Sequence, residues 1–123
     1  MMHEREEENL DEFEGQLSID VYQTDSEIIL QAPIAGVAPE DLEVSISDEM
    51  VKIKGERKGK TEVKKENYFC QECYWGSFQR SYLLPVAVDA NKASASLKNG
   101  ILTIRIPKLE SSKTKILRVK TED

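Results

Sequence analysis

Two cysteines three positions apart, Cys70 and Cys73, are the side chains of this sequence best suited to chemistry. A C-x-x-C pair can bind zinc or cycle between dithiol and disulfide. Zinc requires four ligands, and the sequence offers neither a second such pair nor a histidine near this one. A zinc site would therefore have to be shared by two chains, and we predict no metal or cofactor site.

The residues around the pair also argue against a redox centre. A reactive thiol is typically found at a helix N-terminus, which lowers its pKa. Tyr68, Phe69, Tyr74 and Trp75 instead indicate a strand, in which residues three apart point to opposite faces. We interpret the cysteines as two reduced thiols and keep redox sensing and metal binding as the alternatives.

Other catalytic arrangements lack their residues in this sequence. The one histidine, His3, lies in an acidic stretch where no third group can orient it as a general base. No phosphate-binding loop of the G-x-x-x-x-G-K-[ST] or G-x-G-x-x-G kind is present. We therefore predict no catalytic residues and a protein that is not an enzyme.

The charge is concentrated at one end of the 123 residues. Residues 1–14 carry the whole net charge of −6, and the rest of the chain has no net charge. Residues 1–15 are predicted to be a flexible acidic N-terminal arm. A neutral body gives no basic face for nucleic acid, and no apolar run approaches the roughly 18 residues of a membrane span. The two cysteines favour the cytoplasm.

Alternating apolar and polar residues after this arm predict short β-strands and no amphipathic helix. A proline followed by two acids, Pro39-Glu40-Asp41, predicts one helical turn between the second and third predicted strands. Hairpin connections at short, regular spacing predict an all-β fold, an immunoglobulin-like antiparallel β-sandwich with flexible arms at both ends. The predicted strands are 17–21, 28–32, 42–46, 51–53, 76–84, 93–97 and 102–106.

The last two strands meet at Asn99-Gly100, a pair that tolerates the positive φ of a tight hairpin turn. The stretch from Ala95 to Leu102 resembles the A-x-x-x-N-G-x-L signature of the α-crystallin domain of small heat-shock proteins. Upstream, Gly76-Ser-Phe-Gln-Arg80 and then Leu84-Pro85 add to this resemblance. It implies an α-crystallin domain over residues 16–108 and a C-terminal extension over 109–123, as in small heat-shock proteins of the prokaryotic type.

The resemblance implies an ATP-independent chaperone, a holdase that binds partly unfolded client proteins and prevents their aggregation under heat or other stress. Two alternatives remain open: a co-chaperone of the CS-domain kind, and a redox-responsive regulator built on Cys70 and Cys73. The implied partners are unfolding client proteins and further copies of the chain, first in a homodimer formed by strand exchange and then in a larger homo-oligomer. Nucleic acid and membrane are not expected partners.

Residues 56–67 form a nearly all-polar stretch that interrupts the series of strands. A surface loop exposed to solvent is one interpretation. In the family this region is a long loop, here 56–75, with a short strand that subunits exchange. The resemblance places residues near Tyr68 to Cys73 against the Leu17–Val21 edge of a partner, and Arg80 beside acids of the interface. The implied interface residues are Leu17, Ile19, Val21, Tyr68, Phe69, Trp75 and Arg80.

Near the C-terminus, Leu117 and Val119 form an L-x-V version of the family's I-x-I tail motif. Two such side chains point the same way from an extended chain and can fill two adjacent pockets. The alternative is a frayed tail or a short edge strand. The resemblance places the receiving groove between strands 42–46 and 93–97, with Leu42, Val44, Ile46, Ala95 and Leu97 as its residues.

Overall fold

Eight β-strands form two four-stranded sheets in the computed structural model, which describes residues 15–59 and 62–122. The first sheet has the order β1-β6-β5-β4 and the second β2-β3-β8-β7. Every pairing is antiparallel except that of β1 with β6. The predicted all-β sandwich is confirmed. The strands are β1 Gly15–Gln16, β2 Asp20–Gln23, β3 Glu27–Pro33, β4 Leu42–Ile46, β5 Met50–Arg57, β6 Gly76–Leu83, β7 Ser94–Lys98 and β8 Ile101–Pro107.

Helical structure within these described ranges is limited to 3₁₀ turns of three residues. The predicted turn at Pro39–Asp41 is one of them, and the others are Lys65–Asn67, Ala90–Lys92 and Glu110–Ser112. No helix in this part of the chain is long and apolar enough to cross a membrane. The predicted acidic arm lies outside the described residues, apart from Gly15 in β1.

The core lies between the sheets and follows the predicted alternation. In the second sheet, β3 and β8 are the two central strands, and their inward side chains pair as Ile28 with Ile106, Leu30 with Ile104, and Ala32 with Leu102. All six are at most 3% exposed. Val51, Ile53 and Phe78 cover them from the first sheet. Burying each large side chain contributes about 1.5–3 kcal/mol, so this layer holds the two sheets together.

The predicted hairpin turn is confirmed at Asn99 and Gly100. Lys98 pairs with Ile101 across a two-residue loop, and the turn residues have φ values of 52° and 75°. Positive φ at both positions matches the right-handed twist of the two arms. The Gly100 carbonyl also accepts a hydrogen bond from the Ile34 amide at 2.6 Å, which fixes the turn against the end of β3.

The prediction of one strand over 17–21 is wrong, because the chain changes sheets there. β1 pairs in parallel with β6 of the first sheet, whereas β2 pairs with β3 of the second. Between them the Leu17 side chain enters the core and is 6% exposed. The Leu17 carbonyl has left the strand ladder, and the Arg80 Nη1 donates a hydrogen bond to it at 2.7 Å.

Strand β5 is longer than predicted, since it continues past Gly55 to Arg57. Glu56 and Arg57 pair with Ser77 and Gly76 of β6, which is long enough to supply partners for them. Gly55 does not end the strand because Phe78 and Leu42 fill the space above it.

Candidate binding groove and subunit interface

A groove of about 260 Å³, with polar as well as apolar surface, lies between β4 and the start of β7. Each strand is the last of its sheet, so the groove follows the side where two sheet edges meet. On β4 the branched side chains Val44 and Ile46 are half-buried. The residues that face them across the groove are three alanines and a serine, whose short side chains do not fill it. The lining residues are Val44, Ile46, Ala90, Ala93, Ser94 and Ala95.

Three of the predicted groove residues, Val44, Ile46 and Ala95, line this groove. Leu42 and Leu97 lie on the same two strands but pack, half-buried, against the core. Sequence reasoning missed Ala90, which lies in the 3₁₀ turn before β7. The alternating pattern of the strand does not continue into that turn, so the sequence does not show which side chains of the turn face the groove.

The groove is bordered by backbone that an extended peptide could pair with. Among the described residues, β4 pairs only with β5 and β7 only with β8. Each edge strand therefore keeps one row of amide and carbonyl groups free on its outer side. A peptide lying along such an edge gains main-chain hydrogen bonds, and alternate side chains can enter the groove.

The C-terminal L-x-V segment lies outside this groove in the single chain. After Pro107 the backbone stays bonded to the body as far as Thr114, whose amide donates to the Asp25 carbonyl at 3.2 Å. Beyond it, Leu117 is 83% and Val119 is 96% exposed. Both branched side chains are thus free to bind another surface.

The predicted interface residues fall into two sets. The first set packs against the core near the start of the domain. Leu17 and Ile19 lie between β1 and β2, and Val21 lies in β2. Arg80 joins them through the Leu17 carbonyl, and among the described residues it forms no ion pair with an acid. Strand β2 is at the edge of the second sheet and pairs only with β3 among the described residues.

The second set lies in residues 58–75, the segment between β5 and β6 that is called the excursion from here on. Tyr68 is half-buried, Trp75 is 51% exposed, and Phe69 is fully exposed. Residues 62–75 contain one 3₁₀ turn and no strand within a single chain, whereas a strand was predicted there. Strand geometry needs a hydrogen-bonded neighbour, and no sheet of this chain supplies one to that segment.

Two polar contacts fix the ends of the excursion. At its start, the Lys58 Nζ lies 3.1 Å from the Asp41 Oδ1, and the hydrogen bond to Asp41 holds the pKa of Lys58 above its usual value. At its end, the Tyr74 hydroxyl donates to the Ser77 carbonyl. Between these points, an open cavity of about 1000 Å³ is lined in part by Val63, Tyr68 and Trp75.

The predicted thiols lie in the same excursion. Cys70 and Cys73 are both exposed and free. Within residues 15–59 and 62–122, no group of three or more His, Cys, Asp or Glu side chains is placed to hold a metal ion. The sequence's one histidine, His3, lies outside the described residues.

Residues 20–120 match the model of the Hsp20/alpha crystallin family. This span includes the groove, the Asn99-Gly100 turn and Arg80. The chain belongs to the Hsp20/alpha crystallin family. The resemblance drawn from the hairpin signature is thereby confirmed.

Individual relatives agree with this family membership. Small heat shock protein C2 of Rickettsia felis is 40% identical over 101 residues, which is 82% of this chain and 66% of that protein. Heat shock protein 16.0 of Schizosaccharomyces pombe superposes with a TM-score of 0.73 at 31% identity, covering 88% of this chain and all of that one. A small heat-shock protein of Xylella fastidiosa, whose crystal structure reveals a distinct high order structure, has a TM-score of 0.69 at 31% identity over 85% of this chain and 96% of that one.

The chain spans about 60–70% of the length of the curated relatives it matches. A likeness of that extent establishes the family and the fold of the shared domain.

Proposed function

We propose that this chain is an ATP-independent molecular chaperone, a holdase that binds partly unfolded proteins and prevents their aggregation under heat or other stress. The observation that carries this proposal is the groove, lined mainly by aliphatic side chains, between two strand edges that are unpaired among the described residues, in a chain of the Hsp20/alpha crystallin family. Binding of this kind needs no catalytic residue, so the protein is a binding protein and not an enzyme. Its two free thiols favour the cytoplasm as its compartment.

The groove suits an unfolded chain because it makes few sequence demands. The free edges of β4 and β7 offer main-chain hydrogen bonds to any extended segment. Its side-chain lining is aliphatic except for Ser94, so apolar residues at alternate positions suffice. A partly unfolded protein exposes such segments, whereas a folded protein buries them.

We propose that the same groove takes the C-terminal L-x-V segment of a neighbouring subunit when no client is bound. The exposure of Leu117 and Val119 supports this, since no described residue covers them. In an extended chain the two side chains lie about 7 Å apart on one face. Docked tails would then shelter the grooves, and subunit exchange would open them to clients.

We propose that two chains form a dimer by exchanging the segment near Tyr68 to Cys73, which pairs with the free edge of the partner's β2. Two observations within the described part of the chain support the exchange: β2 has no partner on its outer edge, and the segment has no strand partner. The exposed Phe69 and Trp75 would be covered by the partner. In this arrangement residues 16–108 form the domain, and 109–123 form the extension that links dimers.

The holdase activity is tested by light scattering from a heat-labile enzyme at its unfolding temperature, with this chain added and no ATP. Suppression at roughly stoichiometric ratios is expected. The variant Ala95→Trp fills the groove and should suppress less. Ser96→Trp adds the same side chain to the opposite face of β7 and is the matched control.

Two results would count against this proposal. If the folded wild-type chain leaves the scattering unchanged, the holdase function is wrong, and a co-chaperone that serves one dedicated partner becomes the better interpretation. If Ala95→Trp and Ser96→Trp suppress equally well, clients bind elsewhere than in the groove.

The exchange is tested by sedimentation of Phe69→Ala. Each dimer contains two exchanged segments, so losing the burial of both rings should cost about 3–6 kcal/mol and raise the dimer dissociation constant roughly 10²- to 10⁴-fold. Val63→Ala, at a half-exposed position earlier in the excursion, is the control and should leave the constant unchanged. Equal effects of the two variants would contradict the exchange of this segment.

A further inference from the structure

The two thiols of the excursion are placed where a change in covalent structure can be accommodated. Cys70 and Cys73 are both exposed, and the backbone around them belongs to no strand or helix of its own chain. The Cys70 Sγ–H donates to the Glu72 Oε1 at 3.5 Å, so a proton acceptor lies beside one thiol. A small oxidant can reach both sulfurs, and the chain between them is free to bend.

A disulfide between these cysteines is incompatible with a strand. Bridged cysteines have Cα atoms at most about 6.8 Å apart. In an extended strand, residues three apart are separated by about 10 Å, and their side chains point to opposite faces. The segment can therefore be an extended strand or contain a closed disulfide, but not both.

We propose that Cys70 and Cys73 form a redox switch that controls assembly of this protein. Oxidation closes an internal disulfide, which bends the segment and prevents it from pairing with the β2 edge of a partner. Reduction reopens the segment and restores pairing. This inference rests on the strand exchange proposed above, and it assigns to the thiols a role in regulating that exchange.

The oxidant is a small-molecule disulfide such as oxidised glutathione. One cysteine thiol loses its proton, and its thiolate attacks a glutathione sulfur, forming a mixed disulfide and releasing one glutathione thiolate, which takes up the proton. The thiolate of the second cysteine, also deprotonated, then attacks the cysteine sulfur of the mixed disulfide and releases the second glutathione. The two cysteines lose two electrons and two protons, and glutathione disulfide gains them.

The test compares the reduced and oxidised full-length chain by intact mass and analytical ultracentrifugation. Incubation with oxidised glutathione should lower the intact mass by two hydrogen atoms, and the peptide map should link Cys70 to Cys73. The reduced chain should sediment at a multiple of 14.0 kDa, and the oxidised chain at a lower mass than the reduced one. Dithiothreitol should restore the larger species. The double variant Cys70→Ser, Cys73→Ser is the control and should remain assembled in the presence of the oxidant.

Each contrary result has a distinct meaning. An oxidised chain with the internal disulfide that still sediments as the reduced one would overturn the switch and leave the exchange standing. A stable glutathione adduct, a disulfide between two chains or thiols that remain reduced would also overturn it. A monomeric reduced chain would refute the exchange itself and this inference with it, and the scattering assay would then report separately on holdase activity.

Discussion

Gly55 lies where the first sheet has no room for a side chain, and Gly55→Ala should destabilise the domain. It sits on β5 opposite Leu42 of β4 and Phe78 of β6. A Cβ at this position would lie 2.5 Å from the Phe78 Cζ and 2.9 Å from the Leu42 Cδ2. Carbon atoms in ordinary contact are about 3.5–4.0 Å apart. Phe78 is only 4% exposed, so its ring must shift into the core.

The size of the effect follows from these contacts. Overpacking of a filled core costs about 1–3 kcal/mol. A shifted Phe78 ring would also lose the Arg57 guanidinium, whose carbon lies 5.7 Å from the ring centroid, at a further cost of about 0.5–1 kcal/mol. The smaller entropy of the unfolded alanine chain offsets about 0.4–1 kcal/mol of this. We expect a net loss of about 1–3 kcal/mol, or roughly 5–15 °C in melting temperature for a domain of this size.

Urea unfolding followed by circular dichroism measures this loss, and Gly59→Ala is the matched control. A Cβ at Gly59 would meet the Trp75 Cγ at 3.7 Å, an ordinary contact, so this variant should stay within about 0.5 kcal/mol of the wild type. If Gly55→Ala unfolds at the wild-type midpoint with an unchanged slope, the reasoning about Phe78 and Leu42 is refuted.

Three further substitutions test the groove, the hairpin and the crossing between sheets. Replacing Leu117 and Val119 together by Gly removes about 3–6 kcal/mol of apolar burial in the docked tail and should reduce the oligomer mass in light scattering, whereas Ile116→Gly, on the other face of an extended tail, should not. Asn99→Ala forces alanine to a φ of 52° and should cost about 1 kcal/mol in urea unfolding, with Asn99→Gly near neutral. Arg80→Ala leaves the Leu17 carbonyl without its donor and should cost about 1–3 kcal/mol. Arg105→Ala, which breaks an exposed ion pair with Glu27, should cost at most about 1 kcal/mol in the same assay.

Local rules made much of the fold predictable. The Asn99-Gly100 turn sets the register of β7 and β8 without help from the rest of the chain, because its backbone geometry is intrinsic to those two residues. The alternation in β3 and β8 identified the core because each strand has one face against the opposite sheet. Val44, Ile46 and Ala95 were found in the groove by combining this alternation with the family resemblance.

Long-range pairing was not predictable in the same way. Alternation over 17–21 says which side chains face inward, but both sheets face the same core. Nothing in that pattern says that Gln16 pairs with Gln79 while Val21 pairs with Leu30. The continuation of β5 through Gly55 likewise depends on Phe78, a residue 23 positions later. The aromatic residues in 68–75 suit a strand, but among the described residues no strand pairs with this segment.

The side chains along the groove explain how exposed edges can select a ligand without causing indiscriminate aggregation. On the faces of β4 and β7 opposite Val44, Ile46 and Ala95 the exposed side chains are polar, among them Glu43, Ser45 and Ser96. Polar and charged residues on an edge disfavour pairing with another sheet. The favourable free energy of binding a peptide in the groove must therefore come from apolar side chains of that peptide that contact Val44 and Ile46. The proposed tail carries branched residues two apart, and a partly unfolded client exposes similar side chains, so under the proposal made above the two would compete for the groove.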